Sequence, residues 1–208
     1  MKDELRNVIS GKSKVRNGAV IQTISRYLKG SVGTSEVVKN QKHFKKQETE
    51  VLKDFITKNN LWVADIDITN YVSEGAEQKV YLNDSKNVIK LNDGIFYTSW
   101  EDYLNNLLLH NFFFPDTAYD LIGFLEDHEH IYAVVKQPFV KATTKTKLQA
   151  VKDFLTQNGF RNSKDNDYYH PELGIILEDL HDENVLTKDG VLHFIDTVFF
   201  IKAEFYQD

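Results

Sequence analysis

The stretch Glu178-Asp179-Leu180-His181-Asp182-Glu183-Asn184 sets an aspartate five residues before an asparagine, and Asp196 follows beyond a short hairpin. Carboxylate and amide oxygens are the ligands that magnesium takes. Phosphoryl transfer needs two such ligands and a carboxylate that orients an attacking hydroxyl. One compact turn with a later aspartate supplies that set. The plainer alternative is an acidic loop with ordinary Asx turns. Two other chemistries fit less well. A transition-metal site would want a second histidine at ligand spacing near His181, and none is there. A serine hydrolase would want a Gly-x-Ser-x-Gly turn, which the chain lacks.

The elements that must position these residues follow from periodicity. Ala19, Ile21, Ile24, Tyr27 and Leu28 recur at roughly helical spacing, as do apolar residues between His43 and Lys58. From Leu61 the period shortens. Trp62–Asp67, Lys79–Leu82 and Asn87–Leu91 predict an antiparallel meander, with Asn83-Asp84-Ser85 as a turn. A helix is predicted from Ser99 to Asn111 and ends before Pro115; then come a hairpin of Tyr119–Leu125 with Ile131–Gln137 and a helix from Lys145 to Gln157. Gly174–Leu177, Val185–Thr187 and Val191–Ile195 complete the strands, the last two joined by Asp189-Gly190. Helices and antiparallel strands in this order make an α+β fold.

Composition bounds the rest. The 208 residues suffice for one substantial core, and 41% are hydrophobic against 27% charged. With no cysteine there can be no disulfide, thiolate metal site or cysteine nucleophile. No secretory signal opens the chain and no apolar run is long enough to span a bilayer, so a soluble cytoplasmic protein without membrane contact is expected. The net charge of -6 is uneven: residues 1–46 hold eleven Lys or Arg against three Asp or Glu. Such a basic leader suits nucleic acid or an acidic partner surface. It equally suits packing against the chain's own acidic remainder.

Several motifs together resemble the protein-kinase-like fold. Val88-Ile89-Lys90 is similar to the strand that offers a lysine to nucleotide phosphates. Ser73-Glu74-Gly75-Ala76-Glu77-Gln78-Lys79-Val80 aligns with the glycine-rich loop but keeps one glycine of three. Asp179-Leu180-His181-Asp182-Glu183-Asn184 matches Asp-Leu-x-x-x-Asn, and its Asp-Leu-His is similar to aminoglycoside kinases. By this resemblance Asp179 orients the acceptor hydroxyl, Asn184 and Asp196 hold Mg2+, and Lys90, Gly75, Val80, Val135 and Gln137 serve ATP. Glu101 would pair with Lys90, although Thr98-Ser99-Trp100-Glu101 also reads as a helix capping box.

Few residues follow Asp196, so the closer resemblance is to the minimal kinase-like domain found in polyvalent proteins of phages and conjugative elements. It rests on 76–93, 130–140 and 177–196, and on the leader's Leu5-Arg6-Asn7-Val8-Ile9-Ser10-Gly11-Lys12-Ser13-Lys14. The resemblance implies a bacterial mobile-element protein, with this chain a domain of a longer one. It implies a basic helical extension over 1–45 and a kinase-like domain over 46–208. In that domain, an antiparallel-sheet N-lobe covers about 61–137 and a truncated C-lobe about 138–208. Three readings stay open: an ATP- and magnesium-dependent phosphotransferase acting on a hydroxyl of a protein or small molecule; a catalytically weak or inactive kinase-like module that binds nucleotide or a partner; and a nucleic-acid-associated domain acting through residues 1–46.

Overall fold

A computed structural model describes residues 1–31, 41–64, 66–67, 69–74 and 78–207. Three helices open the chain: α1 (Lys2–Ile9), α2 (Gly18–Ser31) and α3 (Gln41–Lys58). Strands β1 (Tyr71–Glu74), β2 (Gln78–Leu82) and β3 (Asn87–Asn92) follow, then α4 (Trp100–Phe113), β4 (Asp120–Asp127) and β5 (His130–Pro138). Beyond them lie α5 (Leu148–Gln157), β6 (Arg161–Lys164), β7 (Asp167–His170), β8 (Ile175–Glu178), β9 (Val185–Lys188), β10 (Val191–Phe194) and β11 (Val198–Ile201). The fold is mixed α/β with antiparallel sheets.

The first sheet runs β1-β2-β3-β5-β4. Its two central strands are apolar on both faces, as β3 shows with Val88, Ile89 and Leu91 all buried. A second sheet pairs β9 with β10, and a third runs β11-β8-β7-β6. The β9–β10 hairpin turns at Asp189 and Gly190, both with positive φ (50° and 80°), as a tight two-residue turn requires.

Trp62–Asp67, expected as the first strand of the meander, does something else. Val63 N–H donates to the Phe124 carbonyl and Phe124 N–H to the Leu61 carbonyl, each at 2.8 Å, so the segment runs parallel to β4 at the far edge of the sheet. Gly123 makes this approach feasible, because a Cβ there would collide with the Leu61 carbonyl. The meander begins instead at β1, and Asp65 lies outside the described residues.

Helix α4 is the hub. Trp100, Tyr103, Leu104 and Leu107–Leu109 are buried, and so are Asn105, Asn106, His110 and Asn111. Such a helix is apolar nearly all round because it packs on several sides. Leu5, Val8, Ile9, Ile21, Ile24 and Leu28 join it in one hydrophobic cluster that reaches Phe199 and Phe205. That core therefore crosses residue 45, which itself falls inside α3. The chain's two ends also meet. Arg6 Nε donates to the Phe205 carbonyl at 2.8 Å, and Lys2 Nζ donates to the Glu204 carbonyl at 2.8 Å.

Several cations of the basic leader are thus satisfied within the chain. Lys45 Nζ reaches the carbonyls of Gly94 and Tyr97, the latter at 2.8 Å, and Lys29 pairs with Glu101 at 3.2 Å. Among the described residues, no helix is long and apolar enough to cross a membrane.

Candidate active site

A cleft of about 310 Å³ opens between the first sheet and the β9–β10 hairpin. Lys90, Val80 and Gln137 line one side of it, and Asn184 and Asp196 line the other. Lys90 comes from β3 with its side chain 4% exposed. Its Nζ donates to the Ile195 carbonyl at 2.7 Å, lies 4.0 Å from the Asp196 carboxylate, and sits 5.3 Å from the centre of the Tyr119 ring. Burial penalises both charges of that pair. It lowers the Lys90 pKa and raises that of Asp196, while each group's charge opposes the other's shift. Gln78 of β2 donates its amide to Asp196 from across the cleft.

The turn after β8 is built around Asp179, which has φ of 63°. Aspartate enters that left-handed region more readily than most non-glycine residues, as Asp165 and Asp189 also do here. Neighbours on two sides hold it there. Asp179 N–H donates to Asp167 Oδ1 at 3.1 Å, and the Asp179 carbonyl accepts from Asn184 Nδ2 at 2.7 Å. Both carboxylate oxygens are engaged: Oδ2 accepts from Asn184 Nδ2 at 2.9 Å, and Oδ1 lies 2.9 Å from His181 Nε2. His181 Nδ1 in turn meets Asn166 Nδ2 at 2.8 Å. The carbonyl of Asn184 accepts from the N–H groups of Ile195 and Asp196 at 2.9 and 3.3 Å, tying the turn to the segment after β10.

The Asn184 amide nitrogen is thereby committed to Asp179, and its oxygen has no hydrogen bond among the described residues. That oxygen and the Asp196 carboxylate are hard donors of the kind magnesium takes. No group of three or more His, Cys, Asp or Glu among the described residues could hold a metal by itself. Two such donors alone do not fill a metal's shell, so an ion held here would take the rest of its ligands from water or phosphate oxygens.

Two expected contacts are not made. Glu101 stands in the first turn of α4 and pairs with Lys29, so the Lys90–Glu101 ion pair does not form. The physical reason is position along the helix: Glu101 lies in the first turn beside Lys29, whereas α4 meets the segment after Asp196 further on, where His110 bonds Thr197. The capping box is also displaced by one residue. Ser99 is the N-cap and its Oγ accepts from Asp102 N–H at 3.0 Å. Val135 pairs with Lys90 in the sheet but is buried in the core and is not among the residues lining the cleft. Gly75 lies outside the described residues.

The structure adds residues that sequence patterns did not single out. His110 Nε2 lies 2.9 Å from the Thr117 carbonyl and Nδ1 lies 2.7 Å from Thr197 Oγ1. Full burial and the nearby Lys90 charge push its pKa down to about 3, against one raising influence, the Thr117 hydrogen bond. Tyr119 OH donates to the Ile195 carbonyl at 3.0 Å. Glu48 of α3 accepts from the N–H groups of Trp100 and Glu101 at 2.6 and 3.0 Å, and burial raises its pKa to about 7. An apolar helix carrying His110 and three asparagines was the available hint of a buried polar hub.

Lys90 of a central strand, Asn184 of the turn and the later Asp196 thus meet at one cleft, and Asp179 is hydrogen-bonded to Asn184 but is not among the residues lining it. A family model described as "Serine/Threonine/Tyrosine Kinase found in polyvalent proteins" matches residues 45–203. The chain belongs to this kinase family. Neither the curated proteins nor the solved structures compared with the chain gave a match. The kinase-family match covers β1 to β11 and includes the whole cleft, while α1 and α2 precede it.

Proposed function

We propose that the protein is an ATP- and magnesium-dependent phosphotransferase that acts on a hydroxyl acceptor, with a sheet-bearing N-lobe and a reduced C-lobe. The observation that carries the reading is the convergence of Lys90, Asn184 and Asp196 on one cleft with Asp179 hydrogen-bonded to Asn184. A magnesium nucleotide, when bound, supplies the transferable phosphoryl group and the charge that screens it. Lys90 offers a cation to phosphate oxygens in exchange for its contact with the Ile195 carbonyl. The Asn184 oxygen and the Asp196 carboxylate would hold the metal, and Val80 would cover the base. Asp179, fixed by His181 and Asn184, orients the acceptor hydroxyl and takes its proton. Such a site works by positioning and charge stabilisation.

The contact of the Gln78 amide with Asp196 favours a second reading, a kinase-like module that binds nucleotide weakly or without turnover. Two measurements separate them. MgATP at about a hundred times its dissociation constant should stabilise the fold by roughly 2.7 kcal/mol, read as a rise in melting temperature. The absence of any rise at millimolar MgATP rejects both readings. Given a rise, phosphate release or autophosphorylation should fall by roughly a thousandfold or more in Asp179→Asn while the melting shift persists. Equal turnover in the two proteins removes Asp179 from the mechanism. Turnover in neither leaves the binding module.

A further inference from the structure

Helix α4 carries no carboxylate to Lys90, yet it does reach the segment that bears Asp196. It does so through His110. The Thr117 carbonyl can only accept, so His110 Nε2, 2.9 Å away, must carry the ring proton. Nδ1 is then an acceptor, and the Thr197 hydroxyl at 2.7 Å donates to it. Both partners are fully enclosed, with His110 0% and Thr197 1% exposed. Thr197 immediately follows Asp196.

The same side of the molecule grips the neighbouring residues one by one. Thr117 Oγ1 donates to the Phe194 carbonyl at 2.5 Å, and Tyr119 OH and Lys90 Nζ both donate to the Ile195 carbonyl. From the opposite side the Asn184 carbonyl takes the N–H groups of Ile195 and Asp196. Residues 194–197 are therefore held on both sides, and the Asp196 carboxylate projects to the cleft. Of the contacts from α4 itself, the imidazole–hydroxyl bond lies nearest to Asp196.

We infer that His110 is a positioning residue that fixes the Asp196 carboxylate for metal binding by locking the Thr197 hydroxyl. The inference deepens the phosphotransferase reading and rests on it for the metal. The bond itself does not. An imidazole in this place orders the backbone while leaving Asp196 as the acidic partner of Lys90. The bond ties α4 to the residue beside Asp196, so its loss should loosen that segment first.

The test uses Thr197→Val, which keeps the side-chain shape and removes the donor, with Thr197→Ser as the restoring variant. In Thr197→Val, hydrogen exchange of the Ile195 and Asp196 amides should accelerate by roughly tenfold or more, while amides of α2 and α3 keep their rates. Affinity for MnATP, read from the paramagnetic resonance of bound Mn2+, should weaken by roughly tenfold. Thr197→Ser should return both to wild-type values. Unchanged exchange in Thr197→Val, or a uniform acceleration throughout the molecule, overturns the positioning role. Normal MnATP affinity with locally faster exchange also overturns it. If the wild-type protein itself binds no MnATP, the phosphotransferase reading fails, and the exchange pattern alone decides what His110 does to residues 195 and 196.

Discussion

Lys90 shows how one residue is held in readiness. Its side chain is almost wholly buried, and its contacts are a carbonyl, an aromatic face and a carboxylate at 4.0 Å. A phosphate in the cleft would offer a stronger, charge-assisted partner than the Ile195 carbonyl does. Lys90→Met should therefore weaken MgATP binding by roughly 10- to 100-fold, measured by titration calorimetry. Affinity equal to wild type would take Lys90 out of the site. At this scale the spacing of Asp179, Asn184 and Asp196 was legible because a turn and a hairpin are local structures. The partner of Lys90 was not legible. Glu101 had the right charge, but whether a helix residue faces a cleft depends on how the helix is rotated against distant elements, and here Glu101 faces Lys29.

Among the elements, α4 transmits most. Asn106 Oδ1 accepts from Phe199 N–H at 2.9 Å, Asn111 bonds both the N–H and the carbonyl of Tyr119, and Ser99 caps the first turn. The N-terminus of α4 is completed by Glu48, a buried carboxylate against two helix N–H groups. Its pKa stands at about 7 in the fold, against an ordinary value of 4.5. Between those values the folded protein holds more protons than the unfolded chain. Stability from this group is therefore fully present below about pH 4.5, is lost as pH rises through about 7, and is level beyond. The change is on the order of 3 kcal/mol. Glu48→Gln should remove it, so urea unfolding from pH 5 to 8 should show a flatter profile in the variant than in wild type. Parallel profiles would show that Glu48 ionises freely. Helix α4 itself was predicted within two residues at each end, because Ser99 and Pro115 bracket it. Glu48 was hidden, since its role depends on α3 lying across the start of α4.

For the whole molecule, the boundary expected at residue 45 does not separate two cores. Leu5, Val8, Ile9, Ile21, Ile24 and Leu28 are each at most 3% exposed and pack in the cluster that contains α4. At about 1.5–3 kcal/mol each, their burial is comparable to the 5–15 kcal/mol by which whole domains are stable. A protein lacking residues 1–31 should thus lose its near-ultraviolet circular dichroism and cooperative unfolding, although the family match begins later. Cooperative unfolding with retained near-ultraviolet signal in the protein lacking residues 1–31 would show the first two helices to be dispensable. The smaller change Ile24→Ala should cost about 2–5 kcal/mol in urea unfolding.

By itself the sequence determined the order of most helices and strands, the mixed α/β class, the polar turn and the family it belongs to. These are written in periodicity, turn residues and short spacings, all properties of neighbours along the chain. Two short hairpin strands, β6 and β7, escaped because brief polar or mixed runs carry little periodic signal, and the edge strand β11 escaped because a four-residue apolar run has too little length to show a period. Tertiary structure alone decided that Leu61–Val63 joins β4 and that Lys2 and Arg6 clamp the far end of the chain. It also decided that Lys29 takes Glu101 and that His110 stands behind Asp196. Each of these is a contact between residues far apart in sequence. Which of several chemically suitable partners is chosen follows from how the helices pack round α4, and no local pattern encodes that.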